Sequence, residues 1–233
     1  MNGSALMNSN TYALQKKESF SDRLTTSTRM RMYRLIERAL PLLQFETILD
    51  VGVTTDREML ASNFFEKSYP HPERVTTFSD QNASWLEKEY PGMKFVLGDA
   101  LSMPFEDNSF DFVFSSAVIE HVGSRLNQER FINELFRVAK EYVCITTPNR
   151  WFPIESHTVL PLLHWLPSKL HRRILKILKK DFFSQEENLN LLDRKSIEEM
   201  IKKRGISDYR LQRIRVLAFT SNLILIIQKH MVK

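Results

Sequence analysis

The stretch TILDVGVTTD, residues 47–56, decides the fold. Its first part is short, apolar and β-branched, the composition of a strand buried on both faces. An acid, one residue and a glycine then close it: Asp50, Val51, Gly52. A glycine at that point permits a tight turn and lets the backbone approach a ligand closely. Upstream, helical spacing runs from Ser27 through Met30, Met32, Tyr33, Leu35, Ile36, Ala39 and Leu40 and stops before Pro41. Downstream, a helical stretch over 57–69 is followed by a second short strand, RVTTFS at 74–79. A short helix is expected at 83–90, a third strand at 94–99, a fourth at 109–116, an amphipathic helix at 127–139 and a fifth strand at 142–147.

Strands and helices thus alternate with short connections over about the first 150 residues, the pattern of βαβ units around a parallel sheet. Parallel strands place their carboxyl ends along one edge, where a ligand is expected to bind. The remainder differs. Residues 148–192 break the alternation with prolines and two tryptophans, Trp151 and Trp165, and hold one helix candidate at 168–180. A helix at 194–204 ends at Gly205, and 209–217 with 220–228 read as a closing antiparallel pair. The expectation is an α/β chain: a Rossmann-like doubly wound sheet, mostly parallel with an antiparallel C-terminal strand pair, plus a helical lid insertion. Residues 1–25 read as a flexible arm, and 26–233 as a single domain with 149–190 covering the ligand edge.

Polar groups mark four successive strand ends: Asp50 with Gly52, Ser79 with Asp80, Asp99 with Ala100, and Ser115 with Ser116. Each one alone suits an ordinary strand-to-helix turn. Together they line one crevice, where a carboxylate at the second strand can take two ribose hydroxyls and one at the third can meet an adenine edge. A dinucleotide fingerprint needs several glycines for pyrophosphate, and one is present, which disfavours a nicotinamide dehydrogenase.

The run GDALSMPFEDNSFDFVFSSAVIEHV, residues 98–122, resembles the class I S-adenosylmethionine-dependent methyltransferases, specifically the type 11 branch. The family pattern there is Gly-Asp, an adenine-flanking loop, Pro-Phe-x-Asp-x-x-Phe-Asp, a strand, then Leu/Ile-x-His, and Ile119-Glu120-His121 closes it. The resemblance spans residues 45–148 and, more loosely, the C-terminal pair. It implies S-adenosylmethionine as cofactor. It places Asp50, Gly52, Ser115 and Ser116 beside the methionyl part, Ser79 or Asp80 at the ribose, and Asp99 and Ala100 at the adenine. The later glycines of the family's first motif are absent; Thr54 and Asp56 stand where they would fall.

Methyl transfer to a hydroxyl needs an aligned nucleophile and a group that takes its proton. His121, just after the fourth strand, has the right intrinsic pKa for that, and the alternative is a packed or capping histidine. Glu155 and His157 can form a base with its orienting carboxylate. Asn149 can hold a substrate hydroxyl and Trp151 can stack on a ring; the alternative is a proline-rich loop packed on the sheet. The runs at 148–153 and 164–167 resemble a bacterial subgroup associated with glycan or lipid-linked sugar assembly. No pair among the six histidines has ligand spacing with a third partner, so no metal site is expected.

Composition bounds the rest. The 233 residues are 42% hydrophobic and 26% charged, with a single cysteine, Cys144, which excludes an internal disulfide and a cysteine-based zinc site. The net charge is +5, yet residues 164–180 carry six basic residues and no acid. The basic character therefore belongs to one helix of the insertion. An amphipathic basic helix can lie on an anionic membrane, bind a phosphorylated substrate or face water. No second basic and aromatic stripe accompanies it, so no nucleic acid partner is expected. The sequence reading is a cytoplasmic methyltransferase of a small-molecule, sugar or lipid-linked acceptor, with O-methylation and a peripheral inner-membrane contact through 168–180. The alternative is a non-catalytic Rossmann-like module recruited to a membrane or a biosynthetic complex.

Overall fold

The computed structural model describes residues 20–57 and 61–230. Seven strands form one sheet in the order β3-β2-β1-β4-β5-β7-β6. They are β1 Ile48–Val51, β2 Val75–Ser79, β3 Lys94–Leu97, β4 Phe110–Ser116, β5 Ala139–Pro148, β6 Tyr209–Val216 and β7 Phe219–Gln228. The first five are mutually parallel, and β7 is antiparallel to both β5 and β6. The expected α/β sheet with its closing antiparallel pair is present.

Among the described residues seven α-helices accompany the sheet: α1 Phe20–Ala39, α2 Phe64–Ser68, α3 Trp85–Glu89, α4 Arg125–Val138, α5 Ser168–Ile177, α6 Asp181–Ser184 and α7 Arg194–Lys203. Alternation along the central strands sorts the core into two faces. Leu49, Val51, Val113, Val143 and Ile145 meet Phe131, Ile132, Leu135 and Val138 of α4, together with Ile197, Met200 and Ile201 of α7. Ile48, Phe112, Phe114 and Cys144 meet Met32, Tyr33 and Ile36 of α1 and Phe64 and Phe65 of α2. By the same parity Asp50 and Ser116 look toward α1 and α2, whereas Ser115 looks the other way. Two caps fix helix starts: Ser124 accepts from the Asn127 amide at α4, and Asp193 with Ser196 forms a capping box at α7.

Three boundaries differ from the sequence reading. Helix α1 begins at Phe20, so residues 20–25 belong to it rather than to an arm; 1–19 lie outside the described residues. Of the helix expected over 57–69, residues 58–60 lie outside the described residues; the described part is helical over Phe64–Ser68, where Asn63 takes a left-handed backbone with φ of 49° just before it. The helix expected over 168–180 stops at Ile177, where left-handed Lys179 turns the chain and the Lys180 amide caps the Leu175 carbonyl. On this helix His171 and Leu175 are buried, while Leu170, Ile177 and Leu178 are exposed.

Candidate active site

The turn after β1 shapes the crevice. Gly52 has φ of +95°, and a Cβ there would lie 2.1 Å from Cγ2 of Val118, so only glycine fits. Its amide donates to the Phe78 carbonyl at 2.7 Å, joining the ends of β1 and β2. The glycine-poor segment that follows is held by a side chain instead. Asn63 accepts from the Thr54 amide and donates to the Thr54 carbonyl, both at 2.9 Å.

A cavity of about 180 Å³ opens at this turn, lined among others by Asp50, Gly52, Thr54, Glu66, Ser116 and Arg29. Asp50 from β1 and Glu66 from α2 are both buried there. Burial raises the Asp50 pKa well above the usual carboxylate range, and neighbouring Glu66 adds to the rise. Burial likewise raises that of Glu66, opposed by its hydrogen bond with Asp50. Arg29 enters from α1, donates to the Ser116 hydroxyl and lies over the Phe64 ring. Burial lowers its pKa, opposed by Glu120 and Asp50. No local pattern in the sequence singles out Arg29 or Glu66: each is one polar residue on an otherwise ordinary helix, and only the packing brings it to Asp50. A larger open depression of about 580 Å³ lies beside Phe45, Asp111 and Lys140. There Asp111 is committed to the Glu46 and Thr47 amides and to the Lys140 ammonium, which makes it a clamp between strands.

The other strand-end residues divide. Ser79 is buried and accepts from the Gln81 amide, while Asp80 is exposed beside it. Asp99 is exposed and accepts from the Leu101 amide, which shapes the loop carrying Ala100. The Ser115 hydroxyl is fully buried and donates to the Val51 carbonyl at 2.8 Å, tying β4 to β1. Its side chain is thereby turned away from the crevice that Ser116 lines. Asn149 is likewise engaged: its amide group donates to the Thr220 carbonyl. The half-exposed Trp151 donates to Asp193 and meets Trp165 edge-on, 6.2 Å between centroids.

The three residues read as catalytic come together. His121 ends the short 3-10 turn Ile119–His121 after β4, and His157 lies in the insertion. Their Nε2 atoms are 2.9 Å apart. His157 Nδ1 contacts Glu155 Oε1 at 2.7 Å, and His121 Nδ1 contacts the Asn188 carbonyl at 2.7 Å. Burial pushes the His157 pKa down, but the Glu155 hydrogen bond and the charges of Glu120 and Glu155 outweigh it, and the net direction is up. Burial would raise Glu155, yet the bond to His157 and the His157 and Thr158 amides bring it to about 2. Fully buried Glu120 accepts from the Thr147 hydroxyl, and one oxygen each of Glu120, His121 and His157 (nitrogen for the histidines) lies within 4.8 Å of the others. Sequence spacing shows only local pairs; tertiary packing brings His121 to His157 across 36 residues, with Glu120 beside them.

The insertion is tied to this corner. The Asn190 amide donates to the Glu120 carbonyl, its side chain to the Gly123 carbonyl, and Gln128 bonds both Ile119 and Asn190. Arg29 lines the cavity and is close enough for its charge to act on Asp50, Glu120 and His157.

Comparison with known proteins agrees with this geometry. Residues 49–143 match a family described as a methyltransferase domain. A demethylmenaquinone methyltransferase of Staphylococcus aureus is 23% identical over 120 residues, 52% of this chain and 50% of that protein. An Encephalitozoon cuniculi protein shares 48% identity over 50 residues, 22% of this chain and 24% of that one. The matches thus span from a quarter to half the length of these curated relatives. Among solved structures, an S-adenosylmethionine-dependent methyltransferase from Thermotoga maritima has a TM-score of 0.54 at 14% identity, covering 90% of this chain and 91% of that one. Magnesium protoporphyrin IX methyltransferase from Synechocystis, solved with bound S-adenosylhomocysteine, has a TM-score of 0.55 at 13% identity, covering 90% and 86%. Residues 49–143 thus carry a methyltransferase domain, on a fold shared with S-adenosylmethionine-dependent methyltransferases of known structure.

Proposed function

We propose that this chain transfers a methyl group from S-adenosylmethionine to a hydroxyl of an acceptor presented at an anionic lipid surface. One observation carries the reading: Arg29, which lines the cavity at Gly52, is near enough for its charge to act on His157, one of a histidine pair whose second nitrogens are already fixed. The residues present fit the cofactor. Gly52 leaves room that a Cβ would fill, and the buried carboxyl pair of Asp50 and Glu66 suits a positively charged group. Asp50, Gly52, Ser116 and Arg29 would hold the methionyl part, Ser79 and Asp80 the ribose, and Asp99 and Ala100 the adenine. When bound, the cofactor supplies an electrophilic methyl on a sulfonium.

The chain's own residues do the rest. Glu155 fixes the ring orientation of His157 through Nδ1, and the Asn188 carbonyl does the same for His121. Both rings therefore turn Nε2 toward each other, and this pair is the group placed to govern the acceptor's proton. The insertion, bonded to the turn that carries Glu120 and His121, closes one side against water.

The acceptor side rests on the insertion's surface. Ile177 is 78% exposed and Phe182 62%, with Leu170, Leu178 and Trp165 also open. Exposed Lys169, Arg173, Lys176 and Lys179 accompany them. Apolar side chains ringed by cations match a headgroup and acyl boundary. Among the described residues no helix is long and apolar enough to cross a membrane.

The test is thermal unfolding with S-adenosylmethionine or S-adenosylhomocysteine, followed by labelled methyl transfer to extracted lipids. Stabilisation at micromolar ligand, lost in Asp99→Ala, is the expected result. No shift in the native chain would overturn the enzyme reading, and binding with no transfer over a broad acceptor panel would support a non-catalytic module.

A further inference from the structure

The donor and acceptor accounting around the two histidines leaves a gap. The Asn188 carbonyl can only accept, so His121 Nδ1 carries a proton. His157 Nδ1 faces a carboxylate that also takes two backbone amides, so it carries one as well. With both Nδ1 atoms protonated, two neutral rings would turn bare lone pairs at each other across 2.9 Å. A cation must sit between them: a shared proton, or a metal ion. Beside them, Glu120 is 0% exposed and its Oε1 has no hydrogen-bond partner. A buried carboxylate oxygen without a partner is costly unless something positive meets it.

From this we infer that Glu120, His121 and His157 form a binding site for one divalent transition-metal cation of the zinc type. Two imidazole nitrogens and one carboxylate oxygen are a recurrent ligand set for catalytic zinc, with a fourth position open. The surrounding partners are those that such sites carry: each ligating ring donates its other N–H, one to a carboxylate and one to a backbone carbonyl. Thr147 holds Oε2 of Glu120, which leaves Oε1 for the ion. Nitrogens on a tetrahedral zinc with bonds of about 2.0–2.1 Å stand about 3.3 Å apart, so the pair need open only a few tenths of an ångström. Magnesium, which prefers an all-oxygen octahedron, fits poorly. The open position would take an oxygen of the acceptor, whose proton a metal makes easier to lose. That last role rests on the methyltransferase reading; the binding of the metal does not.

The experiment uses the whole chain, stripped with chelator and returned to metal-free buffer. Zinc chloride is titrated by calorimetry and cobalt chloride by visible absorption, with magnesium chloride as competitor. The expected result is one ion per chain at micromolar affinity or tighter, with tetrahedral cobalt absorption unaffected by magnesium. Binding should weaken at least 100-fold in His121→Ala and His157→Ala, and about 10–100-fold in Glu155→Gln, which alters only the supporting partner. His164→Ala, a buried histidine outside the cluster, should bind like the native chain. S-adenosylhomocysteine stabilisation of the stripped variants, read separately, shows that they fold and that the cofactor reading stands by itself. Absence of stoichiometric zinc binding in the native chain would overturn the site. So would native-like binding in the His121→Ala, His157→Ala double variant.

Discussion

The sheet and the insertion treat apolar side chains in opposite ways. In β1, β4 and β5, Ile48, Leu49, Phe112, Val113 and Val143 are completely buried. Between residues 151 and 182, Trp151, Ile154, Val159, Leu162, Ile177 and Phe182 are exposed. The two regions have comparable apolar character, so composition does not separate them; what separates them is where the partner lies. The sheet finds its partners within the chain. The insertion keeps one inward anchor line, His164, His171, Leu175 and Leu189, and directs the rest outward.

That contrast can be broken by substitution, and the largest effect should come from the site where the two regions meet. His157→Ala is expected to lower methyl transfer by about 10²–10⁴-fold, the range for loss of a group that handles the reacting proton. The cofactor-induced thermal shift should persist, because His157 belongs to the insertion and not to the strand-end crevice. Next, Phe112→Ala in the sheet should cost about 3–5 kcal/mol in chemical denaturation. The paired change Ile177→Ser with Phe182→Ser should stay within about 0.5 kcal/mol by the same measurement. In cosedimentation with vesicles containing phosphatidylserine, the ranking reverses: the insertion pair loses binding and the folded core variant keeps it. Equal destabilisation by both would mean that the insertion's apolar face is covered within the chain.

A smaller effect is expected at the acidic pair. Both Asp50 and Glu66 have pKa values raised by burial, so their unfavourable contribution is absent below the unfolded carboxylate range, grows as pH rises from there to the raised values, and is constant above them. Glu66→Gln should therefore raise the melting temperature at pH 7 and have little effect near pH 4. The gain is about 1.4 kcal/mol for each pH unit through which the carboxyl is held protonated. A gain that is constant with pH would show that Glu66 does not titrate with folding.

The legible part of the molecule follows from local periodicity. TILDVGV, the alternating strands and the spacing of Phe131, Ile132, Leu135 and Val138 each declare themselves within a few residues, and the sheet places them as expected. The strand-end positions were legible for the same reason. Side-chain direction was less so: Ser115 and Ser116 are neighbours, and only strand parity decides that one ties β4 to β1 while the other lines the cavity. Asn149 read as a ligand residue because it sits after β5, yet its amide serves β7. Arg29, Glu66 and Asn63 carry no local signal, since their roles arise from contacts with Asp50, Ser116 and Thr54. The meeting of His121 with His157 belongs to the same class. The sequence shows two separate candidates, and the fold makes them one site.

The account turns on the crevice and the histidine pair being the two sides of one reaction. A crystal structure of the full chain with S-adenosylhomocysteine tests this most directly. The prediction is that the adenosine lies along the ends of β2 and β3, near Asp80 and Asp99, with the sulfur in the cavity at Gly52 and turned toward His121 and His157. A ligand bound elsewhere, or a sulfur facing away from both histidines, would contradict it.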